Sequence, residues 1–141
     1  TFNYGLILGW TSTTNNLEII PIVFYIGAIF WTLGYDTIYG YQDINDDEII
    51  GVKSTSIKFK NNPKQFLTIC YFIFLLALIF LGFLMNFSLT FFLFLIIPSI
   101  HLLKQIYKLN TSKPELCLKL FKSNNYLGLI IFINLLIGKL I

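Results

Sequence analysis

The chain has 141 residues, of which 56% are hydrophobic and only 12% charged, with a formal net charge of +3. Its length fits one domain, but soluble domains carry about 25% charged residues, so too little polar surface remains here to coat a globule in water. All ten basic residues are lysine, and without the arginine-bearing stripe of a nucleic-acid binder, no nucleic-acid partner is expected; at a mean hydropathy of +0.75 the expected solvent is a lipid bilayer.

Residues 1–10 are apolar but short of the roughly 20 residues a crossing needs. They read as the tail of a helix begun upstream, and with neither an initiator methionine nor a basic leader the chain reads as cut at its front. Residues 11–18 are polar and free of lysine. Pro21 suits the first turn of a helix, and the apolar run over residues 19–37 is long enough to span. A polar loop follows over residues 43–63. The cleanest span covers residues 66–84, without a charge; a turn at 85–88 leads to another span over 89–103, which Pro98 is expected to kink.

Residues 104–125 are polar and basic. Ser112 and Glu115 have capping-box spacing with Pro114 between them, and Leu116, Cys117, Leu120 and Phe121 share one face. This predicts a short interfacial helix, followed by a last span over residues 126–141. His101, beside Lys104, reads as interfacial, and Trp10 and Trp31 as belt or packing residues. Cys70 and Cys117 show no metal spacing, and no disulfide is expected.

The lysines orient the bundle. Lys53, Lys58, Lys60 and Lys64 lie in one loop and Lys104, Lys108, Lys113, Lys119 and Lys122 in another, with only Lys139 near the far end. Two loops separated by two spans share a side, which is the cytoplasm or, in a mitochondrion, the matrix.

Five of the seven acidic residues fall between positions 36 and 48. If the helix continues through them, Asp36, Asp43 and Asp47 lie within about 20° of one stripe, with Tyr39 and Gly40 on the same face. Such a stripe repels itself, opposes the helix dipole and puts Asp36 in an apolar run, where a bare carboxylate costs about 2.5 kcal/mol or more. A cation must offset this. Lys53 is one candidate; hard oxygen ligands without His or Cys make Mg²⁺ the better one. The plainer alternative is a solvated loop at a membrane boundary.

The segment 35–55, YDTIYGYQDINDDEIIGVKST, closely resembles the second aspartate-rich motif of UbiA-type prenyltransferases, in particular the 4-hydroxybenzoate branch with its YDTxYAxQDxxDDxxxGVKST. Gly40 for the usual alanine is the one clear departure inside the motif; Gly9-Trp10, residues 116–124 and residues 127–129 also resemble this branch. The resemblance implies an all-α, polytopic transmembrane helix bundle. Residues 1–141 would form the C-terminal part of one domain, with about four spans plus a truncated helix, half of a nine-helix fold. It implies Mg²⁺-dependent transfer of a polyprenyl group from polyprenyl diphosphate to 4-hydroxybenzoate in ubiquinone biosynthesis, in a bacterial or mitochondrial inner membrane. By position, Asp43 and Asp47 would be the principal Mg²⁺ ligands and catalytic residues, and Asp36 a further ligand or a polar group on the aromatic side. Lys53 would contact diphosphate, and Tyr39 and Ser54 would line the site.

The family's first motif, NDxxDxxxD, is absent from these residues. The partner half carrying it would complete the clamp, and the isolated chain is expected to be inactive. Rival readings are a family member with a naphthoate or haem acceptor, a non-catalytic remnant, and a transporter fragment using the aspartates as a relay; the last lacks broken-helix signals and paired repeats.

Overall fold

The computed structural model describes residues 3–140; Thr1, Phe2 and Ile141, at the ends of the first and last expected segments, lie outside the described residues. In chain order the helices are α1 (Tyr4–Thr14), α2 (Ile19–Gly40), α3 (Ile44–Ile50), α4 (Thr55–Lys58), α5 (Pro63–Leu84), α6 (Leu89–Phe94), α7 (Ile96–Lys108) and α8 (Pro114–Leu140). Four stretches are long and apolar enough to cross a membrane: α2, α5, α6 with α7, and α8. The chain is a membrane helical bundle.

Local chemistry sets several boundaries. Pro63 occupies the first turn of α5, where its missing N–H costs nothing. After α5, Asn86 takes a φ of 52°, the left-handed region that asparagine tolerates better than most residues, and turns the chain into α6. The expected polar turn at residues 11–18 is instead helical to Thr14. Thr11, Ser12 and Thr14 turn their hydroxyls back onto the carbonyls of Ile7, Gly9 and Trp10 at 2.9–3.0 Å, satisfying themselves within α1.

The span over α6 and α7 is interrupted at Leu95, three residues before Pro98. Pro98 cannot donate to the Phe94 carbonyl, so the expected kink is realised as a break in the ladder. A second difference concerns α8. The separate interfacial helix is absent; one helix runs unbroken from Pro114 to Leu140. Ser123 and Asn124, which read as loop residues, donate to the carbonyls of Leu120 and Phe121 one turn back, so their polarity is absorbed by the helix. Ser112 also sits one residue too early to cap a helix that starts at Pro114, and its own N–H donates to Asn110 Oδ1 at 3.0 Å.

In lipid, helices associate through close packing more than through the hydrophobic effect, and small residues bring backbones together. The most extensive helix pair, α2 against α5, follows this rule. A Cβ on Gly27 would lie 2.6 Å from Ala77 Cβ, and one on Gly34 would lie 2.5 Å from Tyr71 Cε1. Trp31, between these glycines, stacks on Phe74 of α5 with centroids 5.2 Å apart. The buried core runs along α5 through Leu67, Cys70, Tyr71, Phe74, Leu78 and Leu81.

Both lysine-rich loops lie at one end of the bundle. Lys64 Nζ donates to the Tyr107 carbonyl at 3.2 Å, and one hollow is lined jointly by residues 61–65 and 109–111. Lys139 lies at the other end, beside Trp10 and Met85.

Candidate functional site

The continuous acidic stripe does not form. Helix α2 stops at Gly40, the N–H groups of Tyr41 and Gln42 close it by donating to the carbonyls of Ile38 and Tyr39, and α3 restarts at Ile44 with Asp43 as its N-cap residue. The reason is electrostatic. Continued as one helix, the aspartates would crowd the negative end of the α2 dipole. With the break, Asp46 and Asp47 fall in the first turn of a new helix, where the dipole favours them. The relation between Asp43 and Asp47 survives, because Asp47 N donates to the Asp43 carbonyl at 2.9 Å, which keeps them one turn apart. Asp36 is separated from them by the bend.

Among the described residues, no three His, Cys, Asp or Glu side chains converge as a metal-binding group. Asp43 is exposed and Asp47 half-buried. Two accessible carboxylates one turn apart still suit Mg²⁺, which takes one or two protein carboxylates and fills the rest of its shell with water and phosphate. Lys53 is exposed at the end of α3's following loop. It makes no ion pair among the described residues; the ion pair in this region joins Lys60 to Glu48 at 2.5 Å and is largely solvated.

Asp36 belongs to a different feature. It lines a cleft of about 300 Å³ between α2 and α8, together with Trp31, Tyr35, Phe121, Asn124 and Asn125. Tyr35 packs against Trp31 edge-on at 5.6 Å and against Phe121 at 5.8 Å, while Tyr39 meets Phe121 at 4.8 Å. Trp31 donates from Nε1 to Asn124 Oδ1 at 3.0 Å, and Gly128 leaves room for its ring. Trp31 is therefore an interior residue of the bundle. The signal that could have found this wall is the i, i+4 spacing of Trp31, Tyr35 and Tyr39, an aromatic stripe next to Asp36.

A hydroxyl latch folds the loop after α3 back onto α2. Gly51, at a φ of 79°, makes the turn that ends α3. Ser54 Oγ then accepts from Ile57 N and caps α4. Thr37 Oγ1 donates to the Leu33 carbonyl, so Thr55 Oγ1 is the donor in their 2.7 Å contact. Ser56 Oγ donates to the Thr37 carbonyl at 3.2 Å and lies where a Cβ on Gly40 would be. Gly40 is thus the seat of the latch, and its departure from the usual alanine has a physical counterpart. Tyr41, at the bend, is buried; burial, with the Cys117 thiol nearby, pushes its phenol up to about 12, and its hydroxyl has no partner among the described residues.

The fold and site define a membrane-embedded helical bundle with an acidic motif at one mouth and an aromatic cleft beside it. The chain belongs to the UbiA prenyltransferase family, which matches residues 1–136. Among curated relatives, the mitochondrial 4-hydroxybenzoate polyprenyltransferases of Bos taurus and Homo sapiens are each 38% identical over 99% of this chain. The 4-hydroxybenzoate geranyltransferase 2 of Lithospermum erythrorhizon is 38% identical over 98% of it. The chain spans 38%, 38% and 45% of the length of these three relatives. No solved structure matches.

Proposed function

We propose that these residues form the second half of the active site of an aromatic polyprenyltransferase that joins a polyprenyl group to 4-hydroxybenzoate in ubiquinone biosynthesis, releasing diphosphate. The observation that carries this is the juxtaposition of paired carboxylates, Asp43 and Asp47, with an aromatic cleft holding a further carboxylate, Asp36. Two substrates of opposite character need two such compartments. Asp43 and Asp47 would hold Mg²⁺, and Lys53 would donate to the diphosphate oxygens. Bound Mg²⁺ offsets negative charge on the departing diphosphate. Trp31, Tyr35 and Phe121 pack the acceptor ring, exclude water and turn π faces toward the allylic carbon as it becomes positive. Asp36 orients the acceptor through its hydroxyl. Tyr39 and Ser54 border the two compartments, Ser54 chiefly by holding α4 in place.

The family resemblance implies that a first aspartate-rich motif closes the clamp from the other side, so transfer is proposed for the assembled fold and the 141 residues alone are expected to be inactive. The animal relatives are named mitochondrial. On the lysine distribution the motif faces the matrix of such a membrane, or the cytoplasm of a bacterial inner membrane. The acceptor is tested by competition. With labelled polyprenyl diphosphate, 4-hydroxybenzoate is expected to take the label in preference to a naphthoate; transfer to the naphthoate or to a haem alone would move the chain to another branch of the family.

A further inference from the structure

The bundle interior holds a polar chain outside the acidic motif. Tyr71 of α5 donates its hydroxyl to Gln105 Oε1 of α7 at 2.7 Å, and both residues are only 2% exposed. Gln105 Nε2 donates to Ser123 Oγ of α8 at 3.0 Å and to His101 Nε2 at 3.1 Å. Gln105 Nε2 also lies 3.5 Å from the Leu120 carbonyl, and His101 Nε2 lies 3.1 Å from Ser123 Oγ. His101 is half-buried and turns its Nε2 toward the bundle interior. Ser123 Oγ donates to the Leu120 carbonyl at 2.6 Å. The same carbonyl accepts from Asn124 Nδ2 at 3.2 Å, and Asn124 Oδ1 receives Trp31 Nε1.

We propose that Gln105 is a positioning residue for the cleft beside Asp36. Its amide is fully committed, to α5 on one side and α8 on the other, and so fixes the rotation of α8 about its axis. That rotation decides where Asn124 and Phe121 stand, and hence how Trp31 and Tyr35 are held in the cleft wall. An apolar residue of similar size at position 105 would fill the space without setting the rotation. Gln105 makes no hydrogen bond to a cleft residue among the described residues and acts through Ser123 and Asn124.

The test reads Trp31 itself. These residues hold two tryptophans, so Trp10→Phe, with any tryptophan elsewhere in the assembled fold likewise changed to Phe, leaves Trp31 as the sole emitter. In bilayer nanodiscs, Gln105→Leu in this background is expected to shift Trp31 emission to the red and raise its quenching by acrylamide; Ser123→Ala, a milder change in α8, is expected to shift it in the same direction. The double variant Tyr71→Phe/Gln105→Leu removes the buried hydroxyl that the single variant orphans. It is expected to recover the thermal midpoint but not the Trp31 emission. Wild-type emission and quenching in folded Gln105→Leu or Ser123→Ala would overturn the proposal. So would recovery of both midpoint and emission in the double variant, which would leave Gln105 a purely stabilising role.

A kinetic arm rests on the prenyltransferase reading. In the assembled fold, Gln105→Leu is expected to raise KM for the aromatic acceptor about tenfold while kcat stays within about twofold. Equal losses in kcat and unchanged KM would overturn it. If no acceptor is prenylated at all, the functional reading fails, and the Trp31 emission still decides the positioning role.

Discussion

Replacing Gly40 by alanine, the residue usual at this place in the motif, is expected to loosen the loop that carries Lys53. The new Cβ would occupy the position of Ser56 Oγ and approach Ser56 Cβ to 3.1 Å. Ser56 must then rotate or retreat, giving up its bond to the Thr37 carbonyl. A net hydrogen bond contributes about 1 kcal/mol, and a buried hydroxyl left unpaired costs about 1–3 kcal/mol; Ser56 is 2% exposed, so the second figure applies. Against this, alanine in place of glycine at the last turn of α2 returns about 0.5–1 kcal/mol. The net loss is about 1–2 kcal/mol, confined to the contact between α4 and α2, or about a tenfold increase in the undocked fraction of the loop. Hydrogen exchange reads it directly. The amides of Lys58 and Phe59, which bond to the carbonyls of Ser54 and Thr55, should exchange about tenfold faster in Gly40→Ala. Adding Ser56→Ala should recover most of the protection. Unchanged exchange in Gly40→Ala would refute the latch.

Two other predictions concern stability. Gly34→Val should lower the thermal midpoint by overpacking α2 against the Tyr71 ring, at a cost of about 1–3 kcal/mol, whereas Gly5→Val, where a Cβ meets nothing within 4 Å, should cost far less. Equal midpoints for the two variants would contradict the close approach of α2 and α5. Tyr41→Phe should be neutral or stabilising, since it deletes a buried hydroxyl without a partner. Its alkaline behaviour follows from the sign of the shift. The folded phenol holds its proton to about pH 12 while the unfolded one loses it near 10, so wild-type stability should fall between those values and the Tyr41→Phe curve should be flatter. Parallel curves would contradict the buried environment.

The fold was legible where the chemistry is local. Apolar runs gave all four spans, the lysine distribution put two loops at one end, and Pro63, Pro98 and Asn86 mark real boundaries. The acidic motif was legible as residue types, but its geometry was not, because the stripe arithmetic presumed an unbroken helix. The signals against it were present: Gly40, a weak helix former, and Asp43, a favourable N-cap type, followed by acids suited to a first turn. Helix α8 was misread for the opposite reason. Ser123 and Asn124 look like loop residues until their side chains are seen bonded within the helix and to Trp31. His101, beside Lys104, is half-buried, and its contacts to Gln105 and Ser123 were not legible in the sequence. The interior place of Trp31 and the Tyr71–Gln105–Ser123 chain depend on residues 18 to 93 positions apart, and nothing local encodes such pairs.

The proposed role of the paired carboxylates is tested most directly by prenyl transfer in the assembled fold carrying this chain. Membranes with the wild-type sequence are supplied with labelled polyprenyl diphosphate and 4-hydroxybenzoate, with Mg²⁺ present or chelated, and compared with Asp43→Asn and Asp47→Asn. The expected result is Mg²⁺-dependent transfer that falls by at least about a hundredfold in either variant, since on the proposed reading each would remove a charged ligand. Full transfer by both variants would contradict the assignment of Asp43 and Asp47 as the seat of the chemistry.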